Sequence, residues 1–259
     1  MLDLKQIESH YPEHLRPFRK NLLREYLQHK ILEIIFDSQF GENLCFMGGT
    51  ALKIIHGNTR FSEDLDFDNL GINQSQFDEL ISIIQKSLKL QGYFSETKSI
   101  FKGAFTADIK ILNVLYNNQI TNHPNEKLLI KIDADPQNFA YKPDKIILNK
   151  FDVFIRINVT PPDILLAQRI LAVFKRNRAM GRDFYDIVFL LGKNKPNPDY
   201  LFQKLKIQSY HELKDRLLEK CDELDFKQLA TDIEQFLFSA NDKKKILFFP
   251  EFIKQFDFE

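Results

Sequence analysis

Two short apolar runs, held apart by a glycine pair and a tight turn, constrain this chain more than any other feature. "NLCFM" (43–47) reads as a strand that stops at Gly48-Gly49. "TALKIIHG" (50–57) has the length of a short helix, with Thr50 placed to cap its start and Gly57 to end it. The turn Gly57-Asn58-Thr59-Arg60 then leads to a second strand, "DLDFD" (64–68). Such a strand–helix–strand unit needs a sheet to complete it. Side chains alternate along a strand, so Asp64 and Asp66 share one face while Leu65 and Phe67 turn to the core.

Neighbouring carboxylates repel each other and resist joint ionisation. A divalent cation removes that penalty, and Mg2+ is commonly held by one or two protein carboxylates plus substrate phosphates. Asp-x-Asp alone is a weak signal in a chain with 36 acidic residues. Its surroundings strengthen it. Gly48 and Gly49 sit at a strand-to-helix junction, where backbone amides can approach an anion, and Thr50 adds a hydroxyl. A phosphate cradle and a metal clamp so close together suit transfer of a nucleotidyl group from a nucleoside triphosphate. A third carboxylate would serve a two-metal site. Asp133 in "KLLIKIDADP" follows an apolar strand able to pair beside the Asp64 strand, and Asp135 shares its face. Blander readings stay open here: a solvent-facing strand for the aspartate pair, a tight turn for the glycines, and a strand end before Pro136 for Asp133.

Elsewhere the spacing predicts a helix over 13–38 and an amphipathic helix over 73–91 with a Ser or Asn cap. Strand-like runs cover 104–116, 127–135 and 152–158. At Pro161-Pro162 the character changes, and helices are expected at 162–178, 183–192, 198–206, 209–221 and 225–239 with a short tail. The expected fold is α+β over 1–160, a mixed β-sheet with flanking helices and an N-terminal helix, followed by a helical C-terminal part over 161–259.

Lys+Arg and Asp+Glu both number 36, so a nucleic-acid partner would need a local basic patch. Ile164 to Arg182 supplies one: Arg169, Lys175, Arg176, Arg178 and Arg182, with no acid among them. It could hold triphosphate and the phosphates of an RNA acceptor, or be a solvated helix end complementing the dipole. Asp183 could cap the next helix and Asp186 lie in its first turn. The two cysteines, Cys45 and Cys221, form neither a metal-ligand spacing nor a disulfide framework. The N-terminal stretch lacks an apolar signal core and no run is long enough to span a bilayer, so a cytoplasmic protein without membrane attachment is expected.

"GGTALKIIHGNTRFSEDLDF" resembles motif I of the AbiEii/AbiGii-type nucleotidyltransferase toxins, within the polymerase-beta-like superfamily: Gly-Gly-Thr, then Gly57, Arg60 and Ser62, then Asp64-Leu65-Asp66-Phe67. "ILLAQRILAVFKRNRAMGRDFYDIVFLL" (164–191) is similar to the family's helical motif, with Arg182-Asp183 on its Arg-Asp pair and Asp186 one turn later. The likeness covers roughly residues 40 to 240. It implies a nucleotidyltransferase-like sheet and a metal site at Asp64 and Asp66, assisted by Asp133, holding Mg2+ or Mn2+. It implies nucleotide contacts from Gly48, Gly49, Thr50, Arg60, Ser62 and Arg182, and catalytic roles for Arg169 and Asp183. The family has lysine where this chain has Arg169, and arginine keeps the charge but is not a neutral replacement. The resemblance further implies a toxin of a type IV toxin–antitoxin or phage-defence (abortive-infection) system, with a nucleoside triphosphate as substrate, a separate antitoxin, and tRNA or another RNA as acceptor. Two alternatives are a catalytically impaired nucleotide-binding module and an enzyme acting on a small molecule such as an aminoglycoside.

Overall fold

The computed structural model describes residues 2–258. The chain groups into two compact units, Met1–Ile55 with Ser62–Thr160, and His56–Phe61 with Pro161–Glu259. The six residues His56–Phe61, which the sequence places inside the strand–helix–strand unit, thus join the helical unit.

The first unit is built on a seven-stranded mixed sheet. Its strands are β1 Leu44–Met47, β2 Leu65–Asn69, β3 Ser95–Lys102, β4 Ala104–Ile111, β5 Leu128–Asp135, β6 Asp144–Lys150 and β7 Val153–Val159, in the order β3-β4-β5-β2-β1-β7-β6. β2 pairs antiparallel with β1 and parallel with β5. β1 pairs parallel with β7, and the remaining pairs are antiparallel. Its helices are α1 Leu4–Ser9, α2 Arg19–Asp37, α3 Gly48–Ile54, α4 Gln74–Leu90 and the single turn α5 Val114–Asn117. α2 and α4 pack on the same face of the sheet. Leu65 and Phe67 of β2, Ala107 and Ile109 of β4, and Ile130 and Ile132 of β5 are buried. The alternate positions Asp66, Thr106, Asp108, Lys131 and Asp133 are only partly buried, the pattern of a sheet with one apolar and one polar face. Asn73 caps α4 through a capping box with Gln76.

Several elements differ from the sequence expectation. The 13–38 helix is a short 3-10 turn, Glu13–Leu15, followed by α2. The run 104–116 is a strand only to Ile111, because Asn113 adopts a left-handed conformation (φ 58°) and starts α5. α3 begins at Gly48 with Met47 as its N-cap, so Thr50 lies inside the helix; it ends at Ile54, before Gly57. β3 and β6 were not expected; both are sheet edges.

The second unit is helical: α6 Pro162–Lys175, α7 Gly181–Leu191, α8 Pro198–Leu205, α9 Tyr210–Asp222, α10 Phe226–Ile233, α11 Lys244–Leu247 and α12 Phe249–Gln255. Gly181 is required by packing, since a Cβ there would collide with the Leu229 carbonyl of α10. The segment His56–Phe61 is stitched into this unit. The Phe61 N–H donates to the Phe236 carbonyl at 2.7 Å, and the Phe61 and Phe238 rings lie 4.6 Å apart. Among the described residues no helix is long and apolar enough to cross a membrane.

Candidate active site

In the sheet unit, Asp66 and Asp133 are direct partners in the register of β2 and β5. In-register residues on adjacent strands point to the same face, about 5 Å apart. Two carboxylates from distant parts of the sequence are thereby juxtaposed. The Thr106 hydroxyl donates to Asp133 Oδ1 at 2.7 Å, and Lys131 Nζ lies 3.1 Å from Asp133 Oδ2. Asp64 lies one residue outside β2. Burial alone would lower the Lys131 pKa, but bonding to Asp133 and the charges of Asp133, Asp64 and Asp108 outweigh it and raise it. Asp64 therefore bears on the same ammonium as Asp133. Asp135 is exposed at the end of β5.

Gly48 is indispensable to this face. Its φ is +79°, and a Cβ there would collide with the Asp66 carboxylate. Thr50 is fully buried and its hydroxyl donates to the Asp64 carbonyl. Its role in the structure is thus to hold the backbone of a candidate metal ligand, where the sequence suggested a phosphate contact. α2 contributes more of this support. Gln28, 1% exposed, donates from Nε2 to the carbonyls of Ser62 (3.2 Å) and Glu63 (2.9 Å). Arg24 Nη1 pairs with Glu63 Oε1 at 2.6 Å. The three residues Ser62-Glu63-Asp64 are thus anchored by side chains of α2 and α3. Sequence reading missed Gln28 and Arg24, because a polar residue on a helix gives no sign of burial until its partner is known.

Asp68, the third acid in the β2 alternation, is 2% exposed and serves another purpose. It accepts from the Gln137 N–H at 2.8 Å and the Tyr141 hydroxyl at 2.9 Å, fixing the segment between β5 and β6.

The helical unit has its own charged cluster. Asp186, fully buried, accepts Arg60 Nε on Oδ1 (2.7 Å) and Arg60 Nη2 on Oδ2 (2.6 Å). Asn58 Nδ2 adds a bond to Oδ1 at 2.8 Å, and Arg169 Nε lies 3.2 Å from Oδ2. Burial alone would raise the Asp186 pKa; the charges of Arg60 and Arg169 outweigh it and hold the carboxyl below the usual range. Asp183 is also fully buried, with Arg169 Nη1 3.3 Å from Oδ1 and Arg176 Nε 3.3 Å from Oδ2. It is not the helix cap that the sequence suggested; α7 starts at Gly181 with Met180 as N-cap. Arg178 pairs with Asp232 at 2.7 Å. Three of the five cations in the basic stretch are therefore matched by carboxylates within their own unit. Arg60 is 3% exposed and forms a two-pronged pair, a structural placement for a residue expected at the nucleotide. Arg182 is half-buried, its Nε without a hydrogen-bond partner. Ser62 is half-buried, its carbonyl taken by Gln28.

Whether the carboxylate face suits a divalent ion can be judged from its donors. Asp66 and Asp133 are hard oxygen ligands on one face. Among the described residues no three His, Cys, Asp or Glu side chains are assembled into a metal-holding group. A pair of carboxylates completed by substrate oxygens is how Mg2+ is ordinarily bound, so the residues fit that use rather than an all-protein cage.

The comparisons agree with this architecture. Over 90% of its length the chain resembles the crystal structure of JHP933 from Helicobacter pylori (TM-score 0.59, 17% identity, 90% of that chain covered). A candidate nucleotidyltransferase from H. pylori is similar over 90% of this chain and 93% of its own (TM-score 0.57, 17% identity). At that identity the likeness speaks for the fold. No relative was found among curated protein sequences. Residues 30–253 match the family described as nucleotidyl transferase AbiEii toxin, type IV toxin–antitoxin system. With most of its length inside that match, the chain belongs to the AbiEii family of nucleotidyltransferases.

Proposed function

We propose that this chain transfers a nucleoside monophosphate from a nucleoside triphosphate to a hydroxyl of an RNA acceptor such as tRNA, acting as a toxin restrained by a separate antitoxin. The observation that carries the site assignment is the in-register pair Asp66–Asp133; Thr50 holds the Asp64 carbonyl and Gln28 the carbonyl of Glu63 before it. Asp64, Asp66 and Asp133 would hold Mg2+ or Mn2+. When bound, the ion neutralises the triphosphate and favours the ionised acceptor hydroxyl. The chain's residues do the positioning. Gly48, with no Cβ, lets the backbone lie directly against the Asp66 carboxylate, and Gly48 and Gly49 open α3, whose first backbone N–H groups would meet the triphosphate. Thr50, Gln28 and Arg24 fix the Asp64 segment so that its carboxylate need not be ordered during reaction. In the transfer, the acceptor hydroxyl gives its proton to water, its oxygen bonds to the α-phosphorus, the bond from that phosphorus to the α–β bridging oxygen breaks, and pyrophosphate leaves. In the helical unit, Arg60, Arg169, Asp183 and Asp186 form one buried framework that orders the α6–α7 motif and the His56–Phe61 segment.

The pairing of Arg169 with both Asp183 and Asp186 favours one competing reading, nucleotide binding without turnover. One experiment separates the two. Purified protein is incubated with Mg2+, each α-labelled nucleoside triphosphate and total cellular RNA, with Asp66→Ala as control. Label in RNA that disappears with Asp66→Ala supports the transferase and names the base. Nucleotide binding with no label from any triphosphate overturns it in favour of the inactive binder.

A further inference from the structure

The carboxylate face carries a cation of its own. Lys131 stands two residues before Asp133 on β5, so both side chains share a face, and its Nζ lies 3.1 Å from Asp133 Oδ2. The Thr106 hydroxyl occupies the other oxygen of Asp133. Directly opposite Lys131 in the β4–β5 register is Asp108, just as Thr106 is opposite Asp133. One ammonium is therefore placed between two carboxylates, one along its own strand and one across the ladder. Residues i and i+2 are about 7 Å apart and cross-strand partners about 5 Å, both within reach of a four-carbon side chain. The Lys131 and Asp133 side chains retain 39% and 27% of their exposure, so the pair can exchange partners without unpacking the core. Asp108 is faced from β3 by Lys98, its own register partner, so it is a shared site and not a fixed one.

We propose that Lys131 is a resident counter-ion of this face, which, given the assignment of Asp133 to the metal, a divalent cation must displace and which then moves onto Asp108. A carboxylate already neutralised by an ammonium binds a second cation less readily, since the incoming ion must offset the lost pair. Metal affinity in the absence of substrate is thereby kept low. Loading is tied to arrival of the triphosphate, whose oxygens complete the coordination shell. The displaced ammonium remains on the same face, so its positive charge is not lost from the site.

The idea predicts opposite signs for two substitutions on one ladder. Lys131→Met removes the competitor and should tighten metal binding. Asp108→Asn removes the refuge and should weaken it. An ordinary half-exposed ion pair with no part in metal binding predicts no change from either. The test is a Mn2+ titration of the full chain without nucleotide, followed by electron paramagnetic resonance of free Mn2+. Asp66→Ala serves as the site control and thermal melts confirm folding. Lys131→Met should bind Mn2+ about fivefold more tightly, the scale of a half-exposed ion pair, with Lys131→Arg close to the unaltered chain and Asp108→Asn weaker. Unchanged or weaker binding in Lys131→Met, with binding still lost in Asp66→Ala, overturns the counter-ion role and leaves the metal site standing. Binding indifferent to Asp66→Ala overturns the metal assignment and the counter-ion role together.

Discussion

Replacing Arg60 by methionine separates its two readings, nucleotide contact and internal brace. The guanidinium makes two bonds to Asp186, at 2.7 and 2.6 Å, and a third from Nη1 to the Phe61 carbonyl at 3.0 Å. Methionine keeps much of the bulk and removes all three. Asp186, with no exposed surface, would then depend on Asn58 and the more distant Arg169 contact at 3.2 Å. Each charge-assisted bond contributes roughly 1.5–3 kcal/mol, and removing one partner of a buried pair costs about 3–5 kcal/mol because the other charge is stranded. The helical unit should lose about that much stability. For a chain of this size that corresponds to roughly 6–20 degrees in melting temperature. Urea unfolding followed by helical circular dichroism measures it. Adding Asp186→Asn to Arg60→Met should recover about 1–2 kcal/mol, since the stranded charge is then gone. An Arg60→Met chain within about 1 kcal/mol of the parent but unable to bind triphosphate would refute the brace and restore Arg60 to the nucleotide.

Gln28→Met removes the donor to two part-buried carbonyls, at Ser62 and Glu63, and should cost about 1–3 kcal/mol. If Gln28 positions Asp64, the turnover number falls with little change in KM for the triphosphate; equal turnover in the folded fraction would limit Gln28 to stability. The pH dependence has a separate signature. His29 is fully buried, with Nδ1–H donating to the Glu25 carbonyl at 2.7 Å, and burial lowers its pKa to about 4. The unfolded chain therefore takes up this proton more readily, and stability should fall by up to about 3 kcal/mol as pH drops from about 6.5 to about 4. Asp186, with its folded pKa lowered, contributes stability above the ordinary carboxylate range that is lost only as pH falls through its folded value. Denaturant melts across pH should show the histidine step first, and His29→Asn should remove it; an unchanged step would assign it to another group.

Residues whose signal is local were legible from the chain alone. The two-residue period of "DLDFD" puts apolar Leu65 and Phe67 inward and Asp66 on the other face, and the structure keeps that alternation. The cap at Asn73 and the change from strands to helices at Pro161-Pro162 are likewise carried by single residues with restricted backbone or bonding. The two strands that escaped sequence reading, "SETKSIFK" and "DKIILNK", are the outer edges of the sheet. Edge strands carry polar and charged residues that discourage further pairing, so they lack the apolar alternation by which a strand is read.

What the tertiary structure alone decided depends on partners far away in sequence. Register between β2 and β5 sets Asp133 beside Asp66, and register between β4 and β5 sets Lys131 opposite Asp108. α2 was legible as an apolar seam, yet it also buries Arg24, Glu25, Gln28, His29 and Lys30. The family resemblance implies nucleotide or catalytic roles for Arg60, Arg169 and Asp183, and the structure places all three in ion pairs within the helical unit. Their burial is tolerated only because each finds an opposite charge more than ten residues away. Periodicity reports which face a side chain takes, whereas pairing across the fold determines which charges meet there and which are free to meet anything else.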